Sequence, residues 1–276
     1  MAFALVLGGG GITGIAWLIG LLAGWEESGF DPAGAELFVG TSAGSIVSSH
    51  LAAGTPLRAM FEAESRAPRT PPEIPPSASA RAEWIERYGA ILSGRQLTQE
   101  ECARIGAFAL RAGGNEASRL AIIAARLPGS AWPARRLFMT AVDAHDGSLV
   151  SWQRESHASF VEAAASSCAV PGVFPAVTIG SHRYIDGGVR SPANADLATG
   201  FERVVIAAPL GGDEETSEAL REQVRLLRES GAERVDVVVP DDASLAAIGP
   251  NRMDPGRRAP VSAAAYQQGR GALSFV

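Results

Sequence analysis

The sequence contains no lysine, so every fixed cation is an arginine. We read this as a coding bias and not as chemistry. Cysteine is nearly absent too. Cys102 and Cys168 are the only two in 276 residues, which excludes a disulfide framework and a cysteine-rich zinc site and fits a reducing cytoplasm. There is no excess of positive charge: 24 Lys plus Arg against 30 Asp plus Glu gives a net charge of -6. That balance lacks the basic footprint of a nucleic-acid binder. No apolar run is long enough to cross a bilayer. Ile12 to Leu22 is too short for a span, and with no basic stretch before it and no clean cleavage site after it, it reads as a buried helix and not a leader.

What is present suits a globular α/β domain with a sizeable core. Hydrophobic residues make up 46% and charged residues 20%, an ordinary composition for a packed chain. Phe3 to Leu7 reads as a buried strand. A glycine turn follows, then a helix from about Gly14 to Ser28 with Trp17, Leu18, Leu21, Leu22 and Trp25 at helical spacing. Leu37 to Val39 is a second strand, followed by GTSAG and another helix stopping near Gly54. Two strand–turn–helix units in succession predict a parallel pair. The stretch 67 to 80 is rich in proline and reads as extended, with helices expected near 81 to 92, 98 to 112 and 116 to 127. We read about 55 to 130 as a helical cap inserted into a single domain spanning 1 to 276. Strands are expected at 137 to 142 and 149 to 152, joined by the HDG turn, then a helix near 157 to 168 and a strand ending in RYIDGG. RVVIAAP and RVDVVVP read as two further buried strands with a charged helix between them, and a last helix closes the chain. No internal repeat is visible.

Gly40-Thr41-Ser42-Ala43-Gly44 is a G-x-S-x-G motif between a strand and a helix, the setting a nucleophile elbow requires. Ser42 is therefore a candidate nucleophile; its alternative role is a helix N-cap. The glycine run LGGGGITG at 7 to 14 also has two readings. Gly9, Gly11 and Gly14 fit a dinucleotide fingerprint, but the second strand ends in GTSAG where that fold wants an acid. Consecutive glycines can instead aim several backbone N–H groups into one small space, as an oxyanion hole needs. None of His50, His145, His157 and His182 sits in a recognisable triad loop. Asp186 ends a strand and precedes two glycines, which makes it the better candidate base; its alternative role is a turn residue.

The ordered set GGGGITG, GTSAG, ASSCAVPGVFPAV (165 to 177) and DGG closely resembles the patatin-like phospholipase family, and the DPGRRAP stretch is similar to bacterial members. The resemblance implies a three-layer α/β/α fold with a mostly parallel central sheet. It also implies a Ser42–Asp186 dyad without histidine and an oxyanion hole from Gly9, Gly10 and Gly11. Gly14, Gly40, Gly44, Gly187 and Gly188 would support these motifs, with Pro171, Phe174 and Pro175 shaping a supporting segment. The chemistry implied is hydrolysis of a lipid ester (phospholipid, lysophospholipid or acylglycerol) through an acyl-enzyme, with no cofactor and no metal. Thr13 stands where the family commonly has a basic residue, which weakens the case for tight binding of anionic head groups. Trp84, Ile85, Ile91 and Leu92 of the cap are candidates to line an acyl channel. Any contact with a membrane or micelle surface is expected to be weak and transient, because no strong basic amphipathic helix is visible. The competing readings are a nucleotide-binding protein using Gly8 to Gly14, a non-catalytic regulatory relative, and a triad that uses His182.

Overall fold

The computed structural model describes residues 2–66, 95, 97–111, 113–210, 212 and 215–271. Five apolar residues in a row form β1 (Phe3–Leu7), buried on both faces. Leu5 and Leu7 point into one apolar cluster and Ala4 and Val6 into another, as the two-residue period of a strand requires. The sheet therefore lies between two layers. On one face pack α1 (Gly11–Glu27), α2 (Ala43–Ala52), α3 (Leu57–Glu64), α6 (Phe160–Ser167) and α9 (Arg258–Gly271), whose apolar residues share the large cluster. On the other, α7 (Glu218–Glu229) covers the second cluster with Leu220, Val224 and Leu227. A third cluster is built by α4 (Gln99–Arg111) against Val142 and Ile185.

α1 is apolar nearly all round because it is buried nearly all round. Its close partner is α9. A side chain at Gly20 would lie 2.2 Å from the Ser262 carbonyl, so the two backbones can approach as they do only with glycine there.

The remaining strands are β2 (Leu37–Gly40), β3 (Arg136–Asp143), β4 (Leu149–Trp152), β5 (Val177–Ile179), β6 (His182–Asp186), β7 (Arg203–Ala207) and β8 (Arg234–Val238). Their order is β5-β6-β3-β2-β1-β7-β8, with β4 also paired to β3. β1, β2, β3, β7 and β8 run parallel, while β4, β5 and β6 are antiparallel additions. The sheet is thus mostly parallel within a mixed α/β fold. β8 was expected to be buried. It is only half-buried, because it is the edge strand and one side lacks a neighbour. β5 and the short helix α8 (Asp242–Ile248) were not foreseen, since three and seven residues are too few for a clear period.

The pairing of β3 positions the site. β2 lies against Arg136–Met139, β4 against Met139–Val142 and β6 against Ala141–Asp143. β4 overlaps both of the others, so it must occupy the opposite edge. β2 and β6 then share one edge, and their C-terminal ends meet head-on. Gly40 lies opposite Met139 and Asp186 opposite Ala141.

The expected cap is described in part. α3 packs on α1 and α9, α4 on β3 and β6, and α5 (Glu116–Ala124) on α6. The first expected cap helix and the lining candidates Trp84, Ile85, Ile91 and Leu92 lie outside the described residues. Among the described residues no helix is long and apolar enough to cross a membrane.

Candidate active site

Ser42 sits between β2 and α2 with φ 52° and ψ -113°. A positive φ in a residue with a side chain is strained and persists only where the surroundings hold it. Here they do. The Thr41 N–H donates to the Leu7 carbonyl at 3.0 Å and the Gly44 N–H to the Gly8 carbonyl at 3.1 Å, so the elbow is stitched to the end of β1. A Cβ at Gly44 would lie 1.8 Å from the Leu7 oxygen, which is why the motif needs its last glycine. Gly40 closes β2 and packs on the backbone of Ser45. The Ser42 side chain caps nothing, so the N-cap reading of this serine fails.

A second set of contacts comes from α6. The Ser42 N–H donates to Ser167 Oγ at 3.0 Å, Ser167 Oγ also meets Ser45 Oγ at 2.5 Å, and the Cys168 thiol donates to the Ser42 carbonyl at 3.3 Å. Ser167 and Cys168 of the 165–177 motif are thus a clamp on the serine peptide. Sequence reasoning saw the motif but not this role.

Asp186 ends β6 and faces the elbow from the shared edge of β3. It is 4% exposed. Its Oδ1 accepts the Gly188 N–H at 2.8 Å, and its own N–H donates to the Ala169 carbonyl at 3.0 Å. Burial pushes the carboxyl up to about 6, while the Ser42 hydroxyl, the Gly188 N–H and the Arg119 cation hold it from rising further. The Ser42 hydroxyl acts on this carboxyl as a donor, yet the contact is short of a well-formed hydrogen bond: Oδ2 is buried with no partner at bonding geometry. Such contacts commonly tighten only in a substrate complex. A Cβ at Gly187 would lie 2.2 Å from Thr140 Oγ1, so the turn after Asp186 can approach β3 only without a side chain.

Asn194 ties these parts together. It is buried, in the left-handed conformation (φ 53°). Its Nδ2 reaches Thr41 Oγ1 at 3.1 Å, the Gly187 carbonyl at 3.1 Å and the Ser191 carbonyl at 2.9 Å. No sequence pattern singles this asparagine out.

The glycine run needs a correction. The Gly9 N–H donates to the Pro192 carbonyl at 2.8 Å. It is not available to an oxyanion, although Gly9 borders the nucleophile: a Cβ there would stand 3.5 Å from Ser42 Cβ. The Gly10 and Gly11 N–H groups have no acceptor among the described residues. They open the first turn of α1, where the helix dipole favours negative charge. Gly14 donates back to the Gly10 carbonyl at 2.9 Å. Thr13 bonds the Arg252 carbonyl through its N–H and hydroxyl at 3.0 and 3.3 Å. The pair straps a C-terminal loop over the glycine turn; the backbone N–H makes the shorter bond and the buried hydroxyl adds the second.

The histidines lie elsewhere. His50 bonds Thr55 and the Arg126 carbonyl, and burial lowers its pKa. His182 bonds Asp143 at 2.7 Å, beside His145, and His157 packs edge-on to Trp152. None hydrogen-bonds Ser42 or Asp186. Among the described residues no group of His, Cys, Asp or Glu could hold a metal.

A family model described as "Patatin-like phospholipase" matches residues 5–199. Among solved structures the chain is similar to the type III effector protein ExoU, with 18% identity and a TM-score of 0.44, covering 98% of this chain and 52% of that one. It is also similar to VipD from Legionella pneumophila, with 13% identity and a TM-score of 0.44, covering 98% of this chain and 66% of that one. The chain therefore spans about half the length of the first and just under two-thirds of the second. No curated protein matches it.

Proposed function

From the match over residues 5–199, which places this chain in the patatin-like phospholipase family, we propose that it is a serine acyl hydrolase of lipid carboxylic esters working through a Ser42–Asp186 dyad. The observation that carries the reading is the pairing of a strained serine with a buried carboxylate across the shared edge of β3. Asp186 takes the Ser42 proton as Oγ attacks the ester carbonyl. The N–H groups of Gly10 and Gly11 receive the oxyanion. Collapse expels the alcohol, which takes the proton from Asp186, and leaves an acyl-Ser42. Water, deprotonated by Asp186, then attacks the acyl carbonyl; collapse breaks the bond to Ser42 Oγ, which takes the proton back from Asp186, and frees the fatty acid. A carboxyl near 6 is mostly ionised at neutral pH and more basic than an ordinary aspartate, as a general base requires. Cys102 and Cys168 are buried as free thiols, which supports a reducing compartment such as the cytoplasm.

The test is labelling by a fluorophosphonate probe, followed by a screen of phospholipid, lysophospholipid and acylglycerol esters. The parent is expected to label, and Ser42→Ala and Asp186→Asn, folded by circular dichroism, to remain unlabelled. A parent that stays unlabelled even with lipid micelles, and is stabilised by millimolar nucleotide, would move the glycine loop to the nucleotide-binding reading.

A further inference from the structure

Both members of the dyad are tied to one three-residue segment. Ser167 Oγ accepts the Ser42 N–H, the Cys168 thiol donates to the Ser42 carbonyl, and the Ala169 carbonyl accepts the Asp186 N–H. The middle residue of that segment has a further partner. Arg119, on α5, donates from Nη2 to the Cys168 carbonyl at 3.2 Å, and its guanidinium lies over the Phe174 ring, with Cζ 3.5 Å from the centroid. Arg119 is 5% exposed. A buried cation is costly without compensation; here the ring face and the carbonyl supply part of it.

We infer that Arg119 is a positioning residue for the dyad: it anchors the segment that holds Ser42 and Asp186 together and sets a positive charge against the Asp186 carboxylate. The inference rests on the dyad reading above. The anchor explains why an arginine from the helical stretch between β2 and β3 is buried. A shift of the Cys168 peptide would move the nucleophile and the base at once, and small misplacements of reacting groups are expensive in rate.

The charge has few competitors at Asp186. The elbow presents the Ser42 hydroxyl, and the turn that follows presents the Gly188 N–H. β3 brings Ala141, and Ser167 and Cys168 stand at the end of α6; Cys102 of α4, whose thiol burial raises to about 11, packs with Ile185 and Val142, on the face of β6 away from the Asp186 side chain. Of the Asp143–His182 pair, His182 opens β6 about 13 Å along the strand from Asp186, and Asp143 stands opposite Tyr184, about 7 Å along. Arg119 is the cation among the groups acting on this carboxylate.

The experiment measures fluorophosphonate labelling of Ser42 against pH, together with an NMR titration of the Asp186 carboxyl, in the parent, Arg119→Met, Arg119→Lys and Phe174→Leu. Arg119→Met is expected to label roughly tenfold more slowly or worse. Its acidic limb and its carboxyl midpoint are both expected to move up, by less than burial itself moves the carboxyl, because Arg119 acts on it less strongly than burial and the two hydrogen-bond donors do. Arg119→Lys should bring the midpoint back toward the parent while labelling stays slow. Phe174→Leu keeps the cation but removes its seat, so a smaller slowing and a smaller upward move are expected, and it decides the matter if Arg119→Met does not fold. An unchanged carboxyl midpoint in these variants, even with slower labelling, overturns the inference and leaves Arg119 a packing residue. If the parent does not label, the hydrolase reading fails by itself, and the carboxyl midpoints still decide the role of Arg119.

Discussion

Ser42 and Ser167 are 125 positions apart in the chain, yet the backbone N–H of the first donates to the hydroxyl of the second at 3.0 Å. The strained elbow is therefore held from two sides, by β1 through backbone bonds and by the end of α6 through a side chain. Removing the hydroxyl leaves the buried Ser42 N–H without an acceptor. Ser167→Ala should lose about 1–3 kcal/mol of stability and slow labelling of Ser42, measured by chemical denaturation and probe kinetics. A variant as stable and as fast as the parent would show that the clamp is not needed.

The raised Asp186 pKa predicts the acidic limb of catalysis. The base works as the carboxylate, so kcat/KM should rise with pH around a midpoint near the value of about 6 that burial gives the carboxyl. A pH–rate profile on a soluble ester with no ionisable group checks this. A limb near the ordinary aspartate value would point to another base.

The same group predicts an effect on stability of known sign. Its folded pKa is raised, so the folded state binds more protons than the unfolded one between roughly pH 4 and 6. The stability it contributes is fully present below about 4 and is lost as pH rises through 6. At neutral pH the ionised carboxylate costs about 3 kcal/mol relative to its protonated form. Asp186→Asn keeps the acceptor for the Gly188 N–H and removes the charge. It should be inactive, more stable than the parent at pH 7, and flatter in melting temperature between pH 4 and 6.

Two glycines of the motifs should behave differently. Gly44→Ala puts a methyl 1.8 Å from the Leu7 oxygen and should prevent folding. Gly9→Ala meets Ser42 Cβ only at 3.5 Å, an ordinary contact, and should give folded protein. Circular dichroism separates the two, and an equally well folded pair would contradict the packing at the end of β1.

Asn194 should matter to stability more than its place in a polar loop suggests. Asn194→Ala removes the donor shared by Thr41 and the Gly187 carbonyl and leaves buried acceptors unmet. A loss of about 1–3 kcal/mol is expected in urea denaturation, with a slower Ser42 because the elbow and the Asp186 turn lose their common tie.

The sequence by itself determined the strand–turn–helix units, the Ser42 elbow and the strand end that carries Asp186. Each of these rests on local causes: a short apolar run, a helical period, a glycine where a side chain cannot fit. Only the tertiary structure decided which parts meet. β2 and β6 share one edge of β3 because their registers leave them no other place, and no periodicity encodes a register across a hundred residues. The same holds for Gly9, whose N–H is taken by Pro192, and for Ser167, Cys168, Arg119 and Asn194. Their roles are hydrogen bonds to distant backbone, which leave no trace in spacing or composition. Local chemistry fixes what each residue can do, and the packing of the sheet fixes which residue it does it to.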